Sequence, residues 1–226
     1  MKVLQPPFSP RLYGGVFLIE VISADVGLYL VLTPSICFLD PLVTARRALY
    51  GGSGMVQLRD KHSTDEEYLR LARPLAAICR RHGAPFILND RVHLVEAANA
   101  DGAHVGEEDM APAEARNLLG PDRLLGLSTH DRDEVASAFD KGADYMGLGP
   151  MFDTTTKDLA RSPGGADLVR SIANATTLPV YPIGGITTVN APLLIDAGAT
   201  RLAVSAAICE SSDPAAAARH LLNLLT

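Results

Sequence analysis

Residues 54–61 read Gly54-Met55-Val56-Gln57-Leu58-Arg59-Asp60-Lys61, an apolar segment that runs directly into amide and charged side chains. The apolar part predicts a buried parallel strand. Because strand side chains alternate between two faces, Gln57, Arg59 and Lys61 fall on one side of it. A strand with a buried start and three hydrogen-bonding groups at its carboxyl end is how an α/β barrel builds a site for an anionic ligand. The same residues also fit a strand that leaves the core through a solvated, charged turn.

Similar apolar runs occur along the rest of the chain. Eight runs in all alternate with helical patterns, at residues 28–33, 55–58, 86–88, 102–105, 124–128, 145–148, 180–183 and 202–205. Strands that alternate with helices in this way predict an α/β fold, here a single (β/α)8 TIM barrel. In that fold the carboxyl ends of the strands form the face on which active sites are built.

The segment that follows residues 54–61 predicts an amphipathic helix. Ser63 or Thr64 is a suitable N-cap, Glu66 and Glu67 occupy the first turn, and Gly83 ends the segment. Its buried face is predicted to consist of Leu69, Leu71, Leu75 and Ile78. Such an amphipathic helix would cover the outer face of the sheet.

Composition limits the kinds of protein that this chain can be. It has 226 residues, 47% of them hydrophobic, which is enough for one sizeable core. No proline- or serine-rich linker divides it, so residues 27–226 are predicted to form the barrel and residues 1–26 an N-terminal extension. The net charge of −6 argues against nucleic acid as the main partner. Three cysteines without a C-x-x-C pair indicate neither a disulfide framework nor a zinc site, which favours a cytoplasmic location.

The stretch at residues 12–32 is apolar enough to raise the question of a membrane segment. Glu20 and Asp25 lie within it, and an acidic side chain at the centre of a bilayer costs about 2.5 to 3.5 kcal/mol. No small-residue cleavage site follows a clean apolar run. We therefore expect neither a membrane span nor a signal peptide in this stretch.

Two acidic residues follow neighbouring predicted strands. Asp90 comes after the run at 86–88, and Asp109 follows the run at 102–105. A barrel would place both carboxylates near one rim, where together with phosphate oxygens of a ligand they would suit Mg²⁺. The alternative is that Asp90 caps a helix and Asp109 is an ordinary loop residue.

Two further segments have residue types that can bind phosphate. Gly184-Gly185 would let the backbone approach a phosphate closely, although a tight turn from strand to helix needs the same residues. Thr154-Thr155-Thr156-Lys157 places three hydroxyls and one positive charge in a long loop. Long loops in compact domains are often functional, but a flexible polar loop is the alternative.

Other chemistries find less support in the sequence. The histidines at 62, 93, 104 and 130 lack metal-motif spacing and are interpreted as packing or surface residues. The chain contains neither the G-x-S-x-G motif of serine hydrolases nor the G-x-G-x-x-G fingerprint of dinucleotide-binding proteins. The residue types therefore favour binding of phosphate and magnesium over these chemistries.

Six motifs in sequence order resemble the thiamine phosphate synthase family. They are Gln57-Leu58-Arg59-Asp60-Lys61, Asn89-Asp90-Arg91-Val92, His104-Val105-Gly106-Glu107-Glu108-Asp109, Gly126-Leu127-Ser128-Thr129-His130, Gly149-Pro150-Met151-Phe152 with the run at 154–157, and Ile183-Gly184-Gly185-Ile186. Several motifs are short, but six of them at consecutive strand ends make the resemblance specific. It extends from about Leu28 to the C-terminus.

The resemblance implies a function and a set of site residues. Members of the family are (β/α)8 barrels that join 4-amino-2-methyl-5-(diphosphooxymethyl)pyrimidine to 4-methyl-5-(2-phosphooxyethyl)thiazole, giving thiamine phosphate and pyrophosphate. The pyrophosphate leaves first, and the thiazole nitrogen captures the pyrimidine carbocation.

By the resemblance, each ligand has its own residues. Those expected to hold the pyrimidine diphosphate are Gln57, Arg59, Lys61, Asn89, Ser128 and Lys157. Among these, the expected catalytic residues are Lys157, Ser128, Arg59 and Lys61. The thiazole phosphate is expected at Thr154, Thr155, Thr156, Gly185, Val204 and Ser205. Asp90 and Asp109 are the expected ligands of Mg²⁺, and a homodimer is the expected assembly.

Two positions depart from the family pattern. Glu107 stands where the family usually has Gln, which adds negative charge next to the expected metal site. With the chain aligned on Ile208, the family's serine falls on Ala206, so a phosphate contact from the backbone would survive but one from the hydroxyl would not. Two alternatives stay open: a thiazole tautomerase-like isomerase on the same barrel, and a ligand-binding relative without activity. The tautomerase-like relatives lack the full pyrimidine-diphosphate set, which disfavours the first.

Overall fold

The computed structural model describes residues 26–153 and 162–226, together with the backbone of residues 12–13 and 16–17. The strands in these residues are β1 (Leu12–Tyr13), β2 (Val16–Phe17), β3 (Leu28–Leu32), β4 (Met55–Leu58), β5 (Phe86–Asn89), β6 (Gly102–Val105), β7 (Leu124–Thr129), β8 (Tyr145–Leu148), β9 (Val180–Pro182) and β10 (Leu202–Val204). β1 and β2 form a small antiparallel ladder. Most of the extension predicted for residues 1–26 lies outside the described residues.

The strands β3 to β10 form one parallel sheet of eight strands. Their order is β10-β3-β4-β5-β6-β7-β8-β9, and the end strands β9 and β10 contact each other, so the sheet is nearly closed. The eight apolar runs of the sequence correspond to these eight strands. The predicted (β/α)8 barrel is therefore confirmed.

Side-chain alternation divides the core into an inner and an outer part. Inside the barrel lie Val26, Tyr29, Val31, Met55, Ile87, Leu124, Tyr145, Tyr181 and Ala203. Between the sheet and the helices lie, among others, Leu28, Leu30, Leu32, Val56 and Leu58. Odd-numbered residues of β3 and β4 thus face the lumen and even-numbered ones face the helices, as a period of two requires. Gln57 belongs to the inner set of β4.

The helices surround the sheet. Within the described residues they are α1 (Pro41–Tyr50), α2 (Asp65–Arg81), α3 (Val95–Ala98), α4 (Pro112–Leu119), α5 (Arg132–Ser137), α6 (Gly165–Ser171), α7 (Ala191–Ile195), α8 (Ala206–Cys209) and α9 (Pro214–Leu224), with short 3-10 turns at Pro34–Ile36 and Val92–Leu94. In this part of the chain, no helix has the length and apolar character needed to cross a membrane.

The helix α2 shows what the sequence pattern could and could not predict. Thr64 is the N-cap, and its hydroxyl and the Glu67 carboxylate form a reciprocal capping box. The predicted buried face was only partly right. The fully buried side chains are Tyr68, Ala72, Leu75, Ala76 and Cys79, whereas Leu69, Leu71 and Ile78 are only partly buried. Alanines and Cys79 thus share the buried face with Tyr68 and Leu75, and the other large aliphatic side chains are only partly covered.

A single arginine organises the amino end of β7 and β8. Arg116 on α4 donates to the backbone oxygens of Gly120, Arg123 and Gly142, and its Nη2 lies 2.7 Å from Asp144 Oδ2. Burial raises the pKa of the Asp144 carboxyl, and the Arg116 guanidinium opposes that rise. One side chain thus satisfies polar groups of two connections, the one between α4 and β7 and the one between α5 and β8.

We predict that Arg116→Ala lowers the free energy of unfolding by about 2 to 3 kcal/mol, since hydrogen bonds to charged groups contribute roughly 1.5 to 3 kcal/mol and the variant removes the charged partner of Asp144. Arg170→Ala is the matched control, because its ion pair with Asp167 is exposed, and it should change stability by less than about 0.5 kcal/mol. Urea unfolding measures both. Equal effects of the two substitutions would contradict this role of Arg116.

Candidate active site

The carboxyl ends of the barrel strands surround one cavity of about 460 Å³. This volume is within the range of small-molecule sites. Every predicted site residue that the structure describes lines it, namely Gln57, Arg59, Lys61, Asn89, Asp90, Asp109, Ser128, Gly185, Val204 and Ser205. The remaining predicted residues, Thr154, Thr155, Thr156 and Lys157, lie outside the described residues. The structure thus brings together side chains that are up to 148 positions apart, from residue 57 to residue 205.

The end of β4 contributes three polar side chains at increasing height in the cavity. Gln57 is buried at the base, where its Nε2 donates to Tyr29 Oη at 2.6 Å. Arg59 follows the strand and Lys61 reaches the exposed rim. Asp60 points elsewhere: its Oδ1 accepts from the backbone nitrogens of His62 and Ser63 at 3.2 and 3.4 Å and so holds the turn. The alternation predicted from the sequence is confirmed.

A second arginine holds the loop after β5 against the loop after β4. The Arg91 guanidinium pairs with Asp65, donates to Ser63 O at 2.5 Å and lies 4.8 Å above the ring of Tyr68. These contacts fix the position of the preceding residue, Asp90. That residue has a φ of 61°, in the left-handed region, where aspartate is tolerated better than most side chains.

Asp90 and Asp109 meet at the rim of the cavity. Their carboxyl groups lie within hydrogen-bonding distance, and Lys61 Nζ is 3.2 Å from Asp90 Oδ2. Burial and then the neighbouring Asp109 raise the pKa of Asp90 to about 6, while Lys61 opposes the rise. Asp109 is held by its Oδ2, which accepts from the Gly106 nitrogen at 2.8 Å. Two carboxylates held this close repel each other unless a proton or a cation lies between them.

This pair fits the chemistry expected of a magnesium site. Mg²⁺ is usually held by one or two carboxylates and completes its coordination with water and substrate phosphate oxygens. No group of three or more histidine, cysteine or acidic side chains that could hold a metal occurs in residues 26–153 and 162–226. A site of two carboxylates open to the cavity matches a cation shared with a phosphorylated ligand rather than one enclosed by protein. Glu107, the departure from the family pattern, is exposed at the mouth of the same cavity.

Ser128 lies on β7, the strand that pairs with β6. Its Oγ is 3.1 Å from His104 Nε2, and the buried His104 ring packs against Tyr145 with 5.6 Å between ring centroids. Gly126 makes room for both rings, because a Cβ there would lie 2.3 Å from Tyr145 and 2.4 Å from His104. The glycine is needed here for space. It lets two large side chains lie beneath the serine.

The ends of β9 and β10 form the remaining wall. Gly184 and Gly185 have φ values of 103° and 63°, and a Cβ on Gly185 would lie 2.3 Å from Asp153 O. Both the tight turn and the close approach therefore require glycine. Ser205 Oγ lies 3.1 Å from Thr33 Oγ1, so two hydroxyls stand together near this wall.

Some cavity residues were not anticipated from the sequence. Tyr29 and Thr33 line the cavity, and so do His104 and His130, which were interpreted as packing or surface residues. His104 does pack in the barrel, but it also contacts Ser128. The available signal was alternation: Tyr29 and Thr33 stand at odd positions of an apolar run, as Gln57 does in the next strand.

The fold and the cavity define this chain as one of the (β/α)8-barrel proteins with a cavity lined by charged and polar side chains at the carboxyl face of the sheet. Comparison with known proteins makes this more specific. A family model described as thiamine monophosphate synthase matches residues 28–208. The chain belongs to the thiamine monophosphate synthase family, which confirms the expected family and the expected enzyme class, a transferase of thiamine biosynthesis.

Individual relatives agree with this assignment. A thiamine-phosphate synthase of Chlorobium limicola is 42% identical over 198 residues, which cover 85% of this chain and 94% of that protein. One of Laribacter hongkongensis is 43% identical over 202 residues, covering 88% and 95%. The chain spans about half the length of matching relatives from Synechococcus and Nostoc. A solved thiamine phosphate pyrophosphorylase from Pyrococcus furiosus is similar with a TM-score of 0.81 and 29% identity, covering 90% of this chain and 97% of that one.

We predict that Asp109→Asn lowers the pKa of Asp90, which should nevertheless stay above its ordinary value because burial is the larger cause of the rise. Carboxyl carbon NMR over a pH titration measures it. Glu108→Gln removes an exposed charge from the same loop and should shift the Asp90 pKa much less. An unchanged Asp90 titration in Asp109→Asn would show that the two carboxyls do not interact.

Proposed function

We propose that this protein condenses 4-amino-2-methyl-5-(diphosphooxymethyl)pyrimidine with 4-methyl-5-(2-phosphooxyethyl)thiazole to give thiamine phosphate and pyrophosphate, with assistance from Mg²⁺. The observation that carries the proposal is the convergence of Lys61, Asp90 and Asp109 at the rim of a cavity whose base holds Gln57. An amide at the base suits a nitrogen heterocycle, and charged groups at the rim suit its diphosphate. Membership in the family supports the same reaction.

The proposed binding mode follows from the position of each side chain between the base and the rim of the cavity. Gln57 would contact the pyrimidine, and Arg59, Lys61, Asn89 and Ser128 would surround the diphosphate. Gly185, Val204 and Ser205 form the wall that would hold the thiazole phosphate. The assigned roles of Thr154, Thr155, Thr156 and Lys157 stay predictions of the same kind. A homodimer and a cytoplasmic location stay predictions too.

In the proposed reaction the carbon–oxygen bond to the diphosphate breaks, and its electron pair leaves with the pyrophosphate. Negative charge therefore develops on the leaving group, where Arg59 and Lys61 are placed to stabilise it. Asp90 and Asp109 would hold Mg²⁺, which when bound neutralises further charge on the phosphates. The thiazole nitrogen then donates its lone pair to the pyrimidine carbon and forms the new carbon–nitrogen bond. That nitrogen carries no proton, so this step requires no general base.

We predict that the purified protein forms thiamine phosphate and pyrophosphate when given both substrates and Mg²⁺, and forms neither after chelation by EDTA. Chromatographic detection of thiamine phosphate measures this. Isomerisation of the thiazole without condensation would favour the tautomerase-like alternative instead. Binding of both substrates without any product would favour the ligand-binding relative.

We further predict that Asp90→Ala and Lys157→Ala each lose most of the turnover, at least about 100-fold, because the first removes a proposed ligand of Mg²⁺ and the second a positive charge expected near the leaving group. Asp140→Ala and Lys141→Ala are matched controls, since both side chains are exposed and do not line the cavity. Steady-state kinetics, together with melting temperatures to confirm folding, make the comparison. Turnover in either site variant close to that of its control would refute that residue's assignment.

A further inference from the structure

A hydroxyl pair lies beneath Gln57 at the base of the cavity. Tyr29 Oη accepts from Gln57 Nε2 at 2.6 Å and lies 3.0 Å from Tyr145 Oη. All three side chains are buried, and Tyr29 is 2% exposed and Tyr145 0%. Burial raises the pKa of both phenols, so both remain protonated at neutral pH. A buried chain of hydrogen bonds therefore runs from the middle of the lumen to the amide that faces the ligand.

The aromatic packing leaves these hydroxyls little freedom. The Tyr29 ring makes edge-to-face contacts with Tyr145 and Tyr181, with ring centroids 5.8 and 5.4 Å apart. The absence of a side chain at Gly126 accommodates the hydroxyl end of Tyr145, because a Cβ there would lie 2.5 Å from its oxygen. The position of Tyr29 Oη is thus set by packing on several strands and not by Gln57.

The hydrogen bond also determines which part of the amide is available to a ligand. A primary amide offers two N–H donors and one carbonyl acceptor. With one Nε2 hydrogen directed to Tyr29, the carbonyl Oε1 and the second hydrogen remain for the cavity. Without the Tyr29 oxygen, the amide could rotate and exchange its donor and acceptor edges. A heterocycle with neighbouring donor and acceptor atoms would then no longer meet a single complementary edge.

We propose that Tyr29, supported by Tyr145, is a positioning residue that fixes the orientation of the Gln57 amide and thereby sets the affinity for the aminopyrimidine part of the substrate. The inference rests on the proposed function, because it takes the pyrimidine diphosphate as the ligand. The proposed diphosphate contacts at the rim do not involve Tyr29. Pyrophosphate, which lacks the ring, should therefore bind independently of Tyr29.

The test compares two tyrosines of the same aromatic cluster. Tyr29→Phe removes the acceptor of Gln57 Nε2, whereas Tyr181→Phe removes a hydroxyl that donates to Val26 O at 3.1 Å, away from Gln57. Calorimetric binding of the pyrimidine diphosphate and of pyrophosphate, each with Mg²⁺, is measured for both variants and the unsubstituted protein. We expect Tyr29→Phe to weaken the pyrimidine diphosphate about tenfold, as for loss of one buried hydrogen bond, and pyrophosphate less than twofold. Tyr181→Phe should leave both affinities unchanged.

A double-substitution cycle shows whether Tyr29 acts through Gln57. In a Gln57→Ala background, Tyr29→Phe should cause no further loss of pyrimidine diphosphate affinity, because the amide to be oriented is gone. A loss of the same size in that background would show direct contact with the ligand and overturn the proposal. Equal affinities of Tyr29→Phe and the unsubstituted protein would overturn it too. Failure of the unsubstituted protein to bind the pyrimidine diphosphate, with pyrophosphate still bound, would instead contradict the proposed function.

Discussion

The closure of a parallel sheet is the constraint on which the rest of this structure depends. Once eight strands run in the same direction around a nearly closed barrel, alternate side chains must enter a narrow lumen and all carboxyl ends must meet at one face. The lumen is filled by tyrosines and aliphatic residues at its lower levels. Polar side chains can be accommodated only above them. The position of Gln57 between Tyr29 and the cavity follows from this arrangement.

The same geometry explains why charged side chains are concentrated at the rim of the cavity. Lys61, Asp90 and Asp109 come from three consecutive strand ends, and Asp90 forms an ion pair with Lys61 and lies within hydrogen-bonding distance of Asp109. The pKa of Asp90 is raised because its carboxyl group is partly buried and lies next to that of Asp109. Sites prepared for a cation and a polyphosphate commonly have this character.

Much of the fold could be predicted because its signals are local. The eight apolar runs, the capping box at Thr64 and the turn held by Asp60 all depend on residues close together in sequence. The buried face of α2 could be predicted only in part, because Tyr68, two alanines and Cys79 are buried there beside Leu75, whereas Leu69, Leu71 and Ile78 are only partly buried. Hydrophobicity alone cannot show which apolar residues pack closest.

The candidate site likewise contains residues that the sequence could predict and contacts that it could not. Residues that end strands, such as Arg59 and Asp90, could be recognised from position and chemistry. The contacts of Tyr29 with Gln57 and of His104 with Ser128 could not, because each joins different strands and depends on space left by neighbours such as Gly126. Pairing across the lumen is set by the stagger of the barrel, which no single segment encodes.

The most direct measurement is a crystal structure of the protein with Mn²⁺, as an anomalous substitute for Mg²⁺, and pyrophosphate. We expect an anomalous peak coordinated by Asp90 and Asp109, with pyrophosphate oxygens bound to that cation and in contact with Arg59 and Lys61. A cation held elsewhere, or pyrophosphate bound outside the cavity, would show that these strand ends do not form one site for an anionic substrate and its metal.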